Sequence, residues 1–179
     1  FGYHSEREAR TVVEKFKEDS IPLDAIIFDL YWFGDTITGT MGNLEFHRDS
    51  FPEPQKMISD FKQQNIKTIL ITEPFILSSS KKWKEANTKQ LLALDGSGHS
   101  YRYDFYFGNT GLLDIYKPHV RKWFWGIYRD LRNMGVEGIW GDLGEPEVHP
   151  SDLFHNGIPA DFVHNTYGHD WARLIHSGY

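Results

Sequence analysis

The 179-residue sequence contains no cysteine. Disulfide staples, thiolate nucleophiles and cysteine-held metals are therefore excluded, although the compartment stays open because exported proteins also do without them. Positive charge is scarce too. Nineteen Lys and Arg stand against 25 Asp and Glu, for a net charge of −6, and the one basic patch, Lys81 to Lys84, is small. Nucleic acid and anionic membrane surfaces both call for clustered basic residues, so neither is an expected partner. No apolar run approaches the ~20 residues of a membrane span. The opening FGYHSEREAR lacks the apolar core of a signal peptide, which places any export signal upstream of it. There is no P-loop, dinucleotide fingerprint, HEXXH or Gly-x-Ser-x-Gly elbow. No cofactor or metal is expected, and His47, His149 and His155 read as solitary surface histidines because they show no ligand spacing.

What the chain does hold is apolar and aromatic: 40% hydrophobic residues, 16% aromatic, enough for one sizeable core. The segment GIWGDLGEPEVHP, residues 138–150, carries the most information. A short strand-like run ends there in three carboxylates, Asp142, Glu145 and Glu147, with Gly141, Gly144 and Pro146 allowing sharp turns. AIIFD ends the same way at Asp29, and TILITE at Glu73. A single acid after a strand often does no more than cap the next helix. Three acids at the ends of three strands read as a catalytic edge, since that end of a parallel barrel carries the active site.

The periodicity predicts alternating units. Helices are expected over 6–17, with Ser5 and Glu8 as a capping box, over 54–64, over 119–134 and over 161–176, and strands over 25–30, 68–72 and 136–140. Val120, Trp123, Phe124, Ile127, Tyr128 and Leu131 share one side of the third helix and read as core. Between Glu73 and Lys117 the pattern breaks. The alternation of Tyr101, Tyr103, Phe105 and Phe107 after a Gly-Ser-Gly turn suggests a β-hairpin inserted after the third strand, within about 75–117, as part of a binding wall. The fold class is α/β, a partial (β/α)8 barrel. A closed barrel typically needs ~250 residues, so the chain reads as roughly the first four βα units of one catalytic domain spanning 1–179.

GIWGDLGEPE resembles the nucleophile motif of glycoside hydrolase family 31, aromatic-x-Asp-Met-Asn-Glu-Pro, with Trp140, Asp142, Glu145 and Pro146 in matching places. PLDAIIFD is similar to the family's second barrel strand, KTILITEPFI to its third, LLDIYKP to the Asp-Phe-Thr-Asn-Pro stretch before the next helix, and His164-Asn165 with Tyr167-Gly168 to a His-Asn-x-Tyr-Gly signature. The resemblance covers nearly the whole length. It departs in having Gly144 for the usual Asn, Glu73 for the more frequent Asp, and Tyr31-Trp32-Phe33-Gly34 after Asp29. The combination DLYWFG, ITEPF and GDLGEPE looks most like the oligosaccharide 4-α-D-glucosyltransferase group of the family.

The resemblance implies that Asp142 attacks the anomeric carbon to form a covalent glucosyl ester, a retaining mechanism. It implies Asp29 as a ligand of sugar hydroxyls, Glu73 and Trp140 in the sugar site, and Glu145 in the loop's supporting shell; read from the residues alone, Glu145 is also a candidate acid. His164 is expected to be a structural hydrogen-bonding residue. Trp32 and Phe75, which follow strand ends, are candidates to stack on sugar rings. The general acid is implied to lie beyond the fifth strand, outside this chain. The implied partners are an α-glucan oligosaccharide and the remainder of the barrel, and a periplasmic or secreted parent fits. A hydrolytic α-glucosidase or α-xylosidase is the alternative within the family. Outside that activity stand a noncatalytic carbohydrate-binding barrel fragment and, opposed by the missing elbow, an unrelated α/β hydrolase or phosphatase.

Overall fold

The computed structural model describes residues 2–179. In chain order its elements are α1 (Glu6–Glu18), β1 (Ala25–Phe28), a 3-10 turn (Leu30–Phe33), α2 (Pro54–Gln63), β2 (Lys67–Thr72), β3 (Phe75–Leu77), α3 (Trp83–Thr88), β4 (Tyr103–Phe105), β5 (Gly108–Leu112), α4 (Pro118–Met134), β6 (Gly138–Gly141), β7 (Phe154–His155), β8 (Ile158–Pro159) and α5 (Ala160–Gly178). The helix boundaries have local causes. Ser5 accepts from Glu8 N at 3.2 Å and so caps α1, but Glu8 reaches back to His4 N at 2.7 Å rather than to Ser5. Pro54 and Pro118 occupy the first turns of α2 and α4, where a missing N–H costs nothing. Gly135 closes α4 in the left-handed region that glycine tolerates.

The parallel sheet has the order β1-β2-β6, with Ile27 opposite Ile69 and Ile69 opposite Gly138. The first two of these are the strands that the resemblance numbers second and third in the barrel, and β6 carries the nucleophile motif. Because side chains alternate, one face of the sheet carries Ile26, Phe28, Thr68, Leu70 and Thr72, all buried. The α4 helix covers part of this face, with Tyr128 hydroxyl 2.8 Å from Thr72 Oγ1. The opposite face carries Ile27, Ile69 and Trp140. Ile27 is 49% exposed and Trp140 40%, whereas Ile71 on the same face is buried, so this face is open along β1 and β6 and covered toward the end of the central strand, and β1 and β6 are open edges. The arrangement is an incomplete barrel with its inner wall showing.

The insertion differs in detail from the sequence expectation. It is a three-stranded antiparallel sheet of order β3-β5-β4, and the β4–β5 hairpin turns at Tyr106 and Phe107, not at Gly96–Gly98. That Gly-Ser-Gly turn closes only an isolated bridge between Leu94 and Ser100, held by Asp95 Oδ1 accepting from Ser97 N and His99 N. The insertion is fastened to the loop after β1: Gly39 N donates to Phe107 O at 2.9 Å, Leu77 N to Met41 O at 3.2 Å and Lys81 N to Asn43 Oδ1 at 2.8 Å. The long loops that leave the ends of β1 and β2 thus form one wall. The short strands β7 and β8, and the helix α3, carry no period that the sequence reveals.

Candidate active site

Register and alternation place Asp29, Glu73 and Asp142 together. Ile71 pairs with Trp140 and Thr72 with Gly141, so position 73 lies level with 142. Asp142 extends the ladder by donating its N–H to Thr72 O at 3.0 Å. Counting in twos from Ile27, Ile69 and Gly138 puts all three acids on the uncovered face, just past the C-terminal ends of the strands. Asp142 is half-buried with no side-chain partner among the described residues. Asp29 is half-buried and accepts from Leu30 N at 2.8 Å, so it also caps the 3-10 turn.

Glu73 differs from both. It is 1% exposed, and neither carboxylate oxygen has a hydrogen-bond partner. Burial pushes its pKa well above the ordinary value of 4.5, and the charges of Asp142 and Asp29 push it further; its own backbone N–H offsets little of this without reaching hydrogen-bond geometry. A sugar hydroxyl has no path to an acid so enclosed. The expected sugar-contact role of Glu73 is therefore corrected to one beneath the surface.

Two aromatic expectations are also corrected. Trp32 is fully buried, because the 3-10 turn swings it inward, where Nε1 donates to Ile71 O at 2.9 Å and the ring packs on Phe33 and Phe46. Phe75 is fully buried on β3 and stacks on Phe105 at 4.2 Å between centroids. Neither offers a face to a ligand. Trp140, level with the acids on the open face, does. Glu145 is exposed and makes no side-chain hydrogen bond. It borders an apolar cleft of about 680 Å³ between β6 and α5, lined also by Gly141, Gly144 and Trp171, and Asp29, Glu73 and Asp142 do not line that cleft.

The histidines form a cluster that sequence spacing does not show. His149 Nε2 lies 2.8 Å from His155 Nε2, and His149 Nδ1 lies 3.1 Å from His164 Nδ1. One tautomer assignment satisfies both contacts: His164 donates to His149, His149 donates to His155, and His155 Nδ1–H faces Asp114 Oδ1 at 3.6 Å, an ion-pair separation longer than a hydrogen bond. His155 and Asp114 are fully buried. Burial acts to raise the Asp114 pKa, but His155, Lys117 at 2.9 Å and Asn156 N–H at 2.7 Å outweigh it and hold it below the ordinary 3.8. Burial, then His155 and His164, lower His149 to about 4. So His149 and His155 are not solitary surface residues. His164 meets His149, a partner the sequence hides. No set of three or more donors among the described residues is arranged to hold a metal ion.

Comparison with known proteins bears on what this edge belongs to. The family model of the glycosyl hydrolases family 31 TIM-barrel domain matches residues 1–179. Alpha-glucosidase 2 of Bacillus thermoamyloliquefaciens is 28% identical over 190 residues, covering 99% of this chain and 24% of its own length. The alpha-xylosidase XylQ of Lactiplantibacillus pentosus is 27% identical, covering 97% of this chain and 22% of its own. Among solved structures, a dextranase of Flavobacterium johnsoniae complexed with glucose superposes with a TM-score of 0.88 at 27% identity, over 99% of this chain and 22% of that one. The chain spans less than a quarter of the length of each of these proteins.

Proposed function

The chain belongs to glycosyl hydrolase family 31, and from that premise we propose that its parent is a retaining enzyme acting on α-glucosides, with Asp142 as the nucleophile. The observation that carries this is the convergence of Asp29, Glu73 and Asp142 at one end of a parallel sheet, with Asp142 half-exposed on the open face. In this reading Asp142 forms the bond to the anomeric carbon as the glycosidic oxygen leaves, and a water or sugar hydroxyl later opens the ester with net retention. Asp29 holds sugar hydroxyls, and Trp140 lines the ring. A second carboxylic acid, about 5–5.5 Å from the nucleophile in retaining enzymes, comes from outside residues 1–179. The open edges of β1 and β6 support the assignment of these residues to one catalytic barrel domain that other strands complete.

Whether water or a sugar opens the ester is decided by what the wall beyond the bond holds. We assign transfer of glucosyl units between α-1,4-glucans. Two features support it: the DLYWFG, ITEPF and GDLGEPE combination, and the wall built jointly by the loop after β1 and the insertion. With Trp32 and Phe75 turned inward, Tyr106, 72% exposed at the hairpin tip, is the aromatic that wall presents. A bound acceptor gains effective concentration over water. The intact enzyme given maltose should form maltotriose and longer chains before much free glucose appears, as read by product chromatography over early time. Glucose release with no elongated product, even at high maltose, would make it a hydrolytic α-glucosidase.

A further inference from the structure

The acid that sequence reasoning offered as a sugar ligand is walled off from solvent, yet it lies level with the nucleophile. Three carboxylates share this end of the sheet, and burial first, then the charges of Asp142 and Asp29, disfavour ionising Glu73. Asp142 and Asp29 are half-exposed, and Asp29 also accepts a backbone N–H. Glu73 has neither water nor a donor, both oxygens being buried and unpartnered. An ionised carboxylate in that position is strongly disfavoured, whereas a neutral acid needs only an acceptor for its O–H. The charged or titratable groups acting with it are Asp142 after β6, Asp29 after β1 and Tyr128 of α4. None of them is a cation, and Asp142 is the strongest electrostatic neighbour.

We propose that Glu73 is a positioning residue that stays a neutral carboxylic acid and turns its O–H toward Asp142, steadying that carboxylate when it departs from the glucosyl ester. The proposal rests on Asp142 as nucleophile. In the second half-reaction the acceptor oxygen bonds to the anomeric carbon, the bond to the Asp142 oxygen breaks, and the electron pair goes to Asp142. The acceptor's proton passes to the second carboxylate supplied outside this chain. Negative charge returns to Asp142 in that step, and a neutral Glu73, level with it on the neighbouring strand and with both oxygens unpartnered in the resting fold, has an O–H free to answer it. Ionised Glu73 would oppose the same charge. Esterification removes one repulsion from Glu73, but burial, the larger cause of its raised pKa, remains.

Reactivation of the trapped enzyme isolates this step. The full-length enzyme and its E73Q and E73L variants are inactivated with a fluorinated glucosyl fluoride, the labelled peptide is sequenced by mass spectrometry, and recovery of activity is followed against pH. A base that activates the acceptor makes recovery faster as pH rises. Loss of the Glu73 proton makes it slower. The wild type should recover more slowly at alkaline pH, and E73Q, which keeps a donor and cannot ionise, should lose that decline. E73L should recover at least about tenfold more slowly than the wild type below the alkaline decline, as removal of a donor to a developing charge predicts, and the two should converge where the wild type has lost its Glu73 proton. A label on Asp142 with superimposable pH profiles for wild type and E73Q, or with E73L recovering at the wild-type rate below that decline, overturns the proposal alone. A label on another acid overturns the nucleophile assignment and the proposal with it.

Discussion

Gly144 and Trp171 share one space. A Cβ placed on Gly144 would clash with Cδ1 of the Trp171 indole, which α5 lays against the loop after Asp142. The family motif has Asn at this position, and here the tryptophan fills the room an Asn side chain would need.

That relationship predicts a coupling. Gly144→Asn should destabilise the protein by about 1–3 kcal/mol, the cost of overpacking a filled site, and Trp171→Ala on the same chain should recover part of the loss. A double-mutant cycle by denaturant unfolding measures the interaction. If the two changes simply add, the ring and the loop are not competing for this space.

Asp142→Asn should lower turnover of maltose by at least about 10³-fold, because the amide keeps the shape but forms no glycosyl ester. Sugar affinity by calorimetry should change little. Turnover near the wild-type level would remove Asp142 from the chemistry.

The enclosed Glu73 has a consequence for stability. Between 4.5 and its raised value the folded state holds a proton that the unfolded chain has lost, so stability falls as pH rises through that window. Glu73→Gln removes the penalty. The melting temperature of the variant should match that of the wild type near pH 4.5 and exceed it increasingly toward neutrality. A constant difference across that range would mean that Glu73 ionises as freely in the fold as in the open chain.

His149 acts in the opposite direction. It is held near 4 against an ordinary 6.5, so the unfolded chain takes up the proton first as pH falls, and stability is lost from 6.5 down toward 4. In thermal melts across this range His149→Gln should show a shallower acid decline than wild type. Equal slopes would place the acid sensitivity elsewhere.

The three acids were legible because each ends an apolar run, and a parallel sheet brings such ends together. Depth was not legible. Nothing in ITEPF tells that Glu73 is sealed in while Asp142, at the same height, meets solvent. Nor does nearness to a strand end say which way a following aromatic turns: the 3-10 turn after Asp29 sends Trp32 back to the Ile71 carbonyl, a choice made by tertiary packing. The main helices and parallel strands followed their periods. The two-residue strands β7 and β8 are too short to have one, and Asp114, His149, His155 and His164 meet only because those strands and α5 fold over the insertion.

The Asp114-to-His164 chain makes the insertion inseparable from the loop it overlooks. Asp114 follows the last insertion strand, His149 ends the loop that starts at Asp142, and His155 and His164 belong to β7 and α5. A graft that exchanged residues 75–117 for a piece with no acid at position 114, in search of new linkage preference, would strip His155 of its buried counter-charge. Such a cassette has to travel with partners for 149, 155 and 164, and selection acting on the wall has to act on all four positions at once.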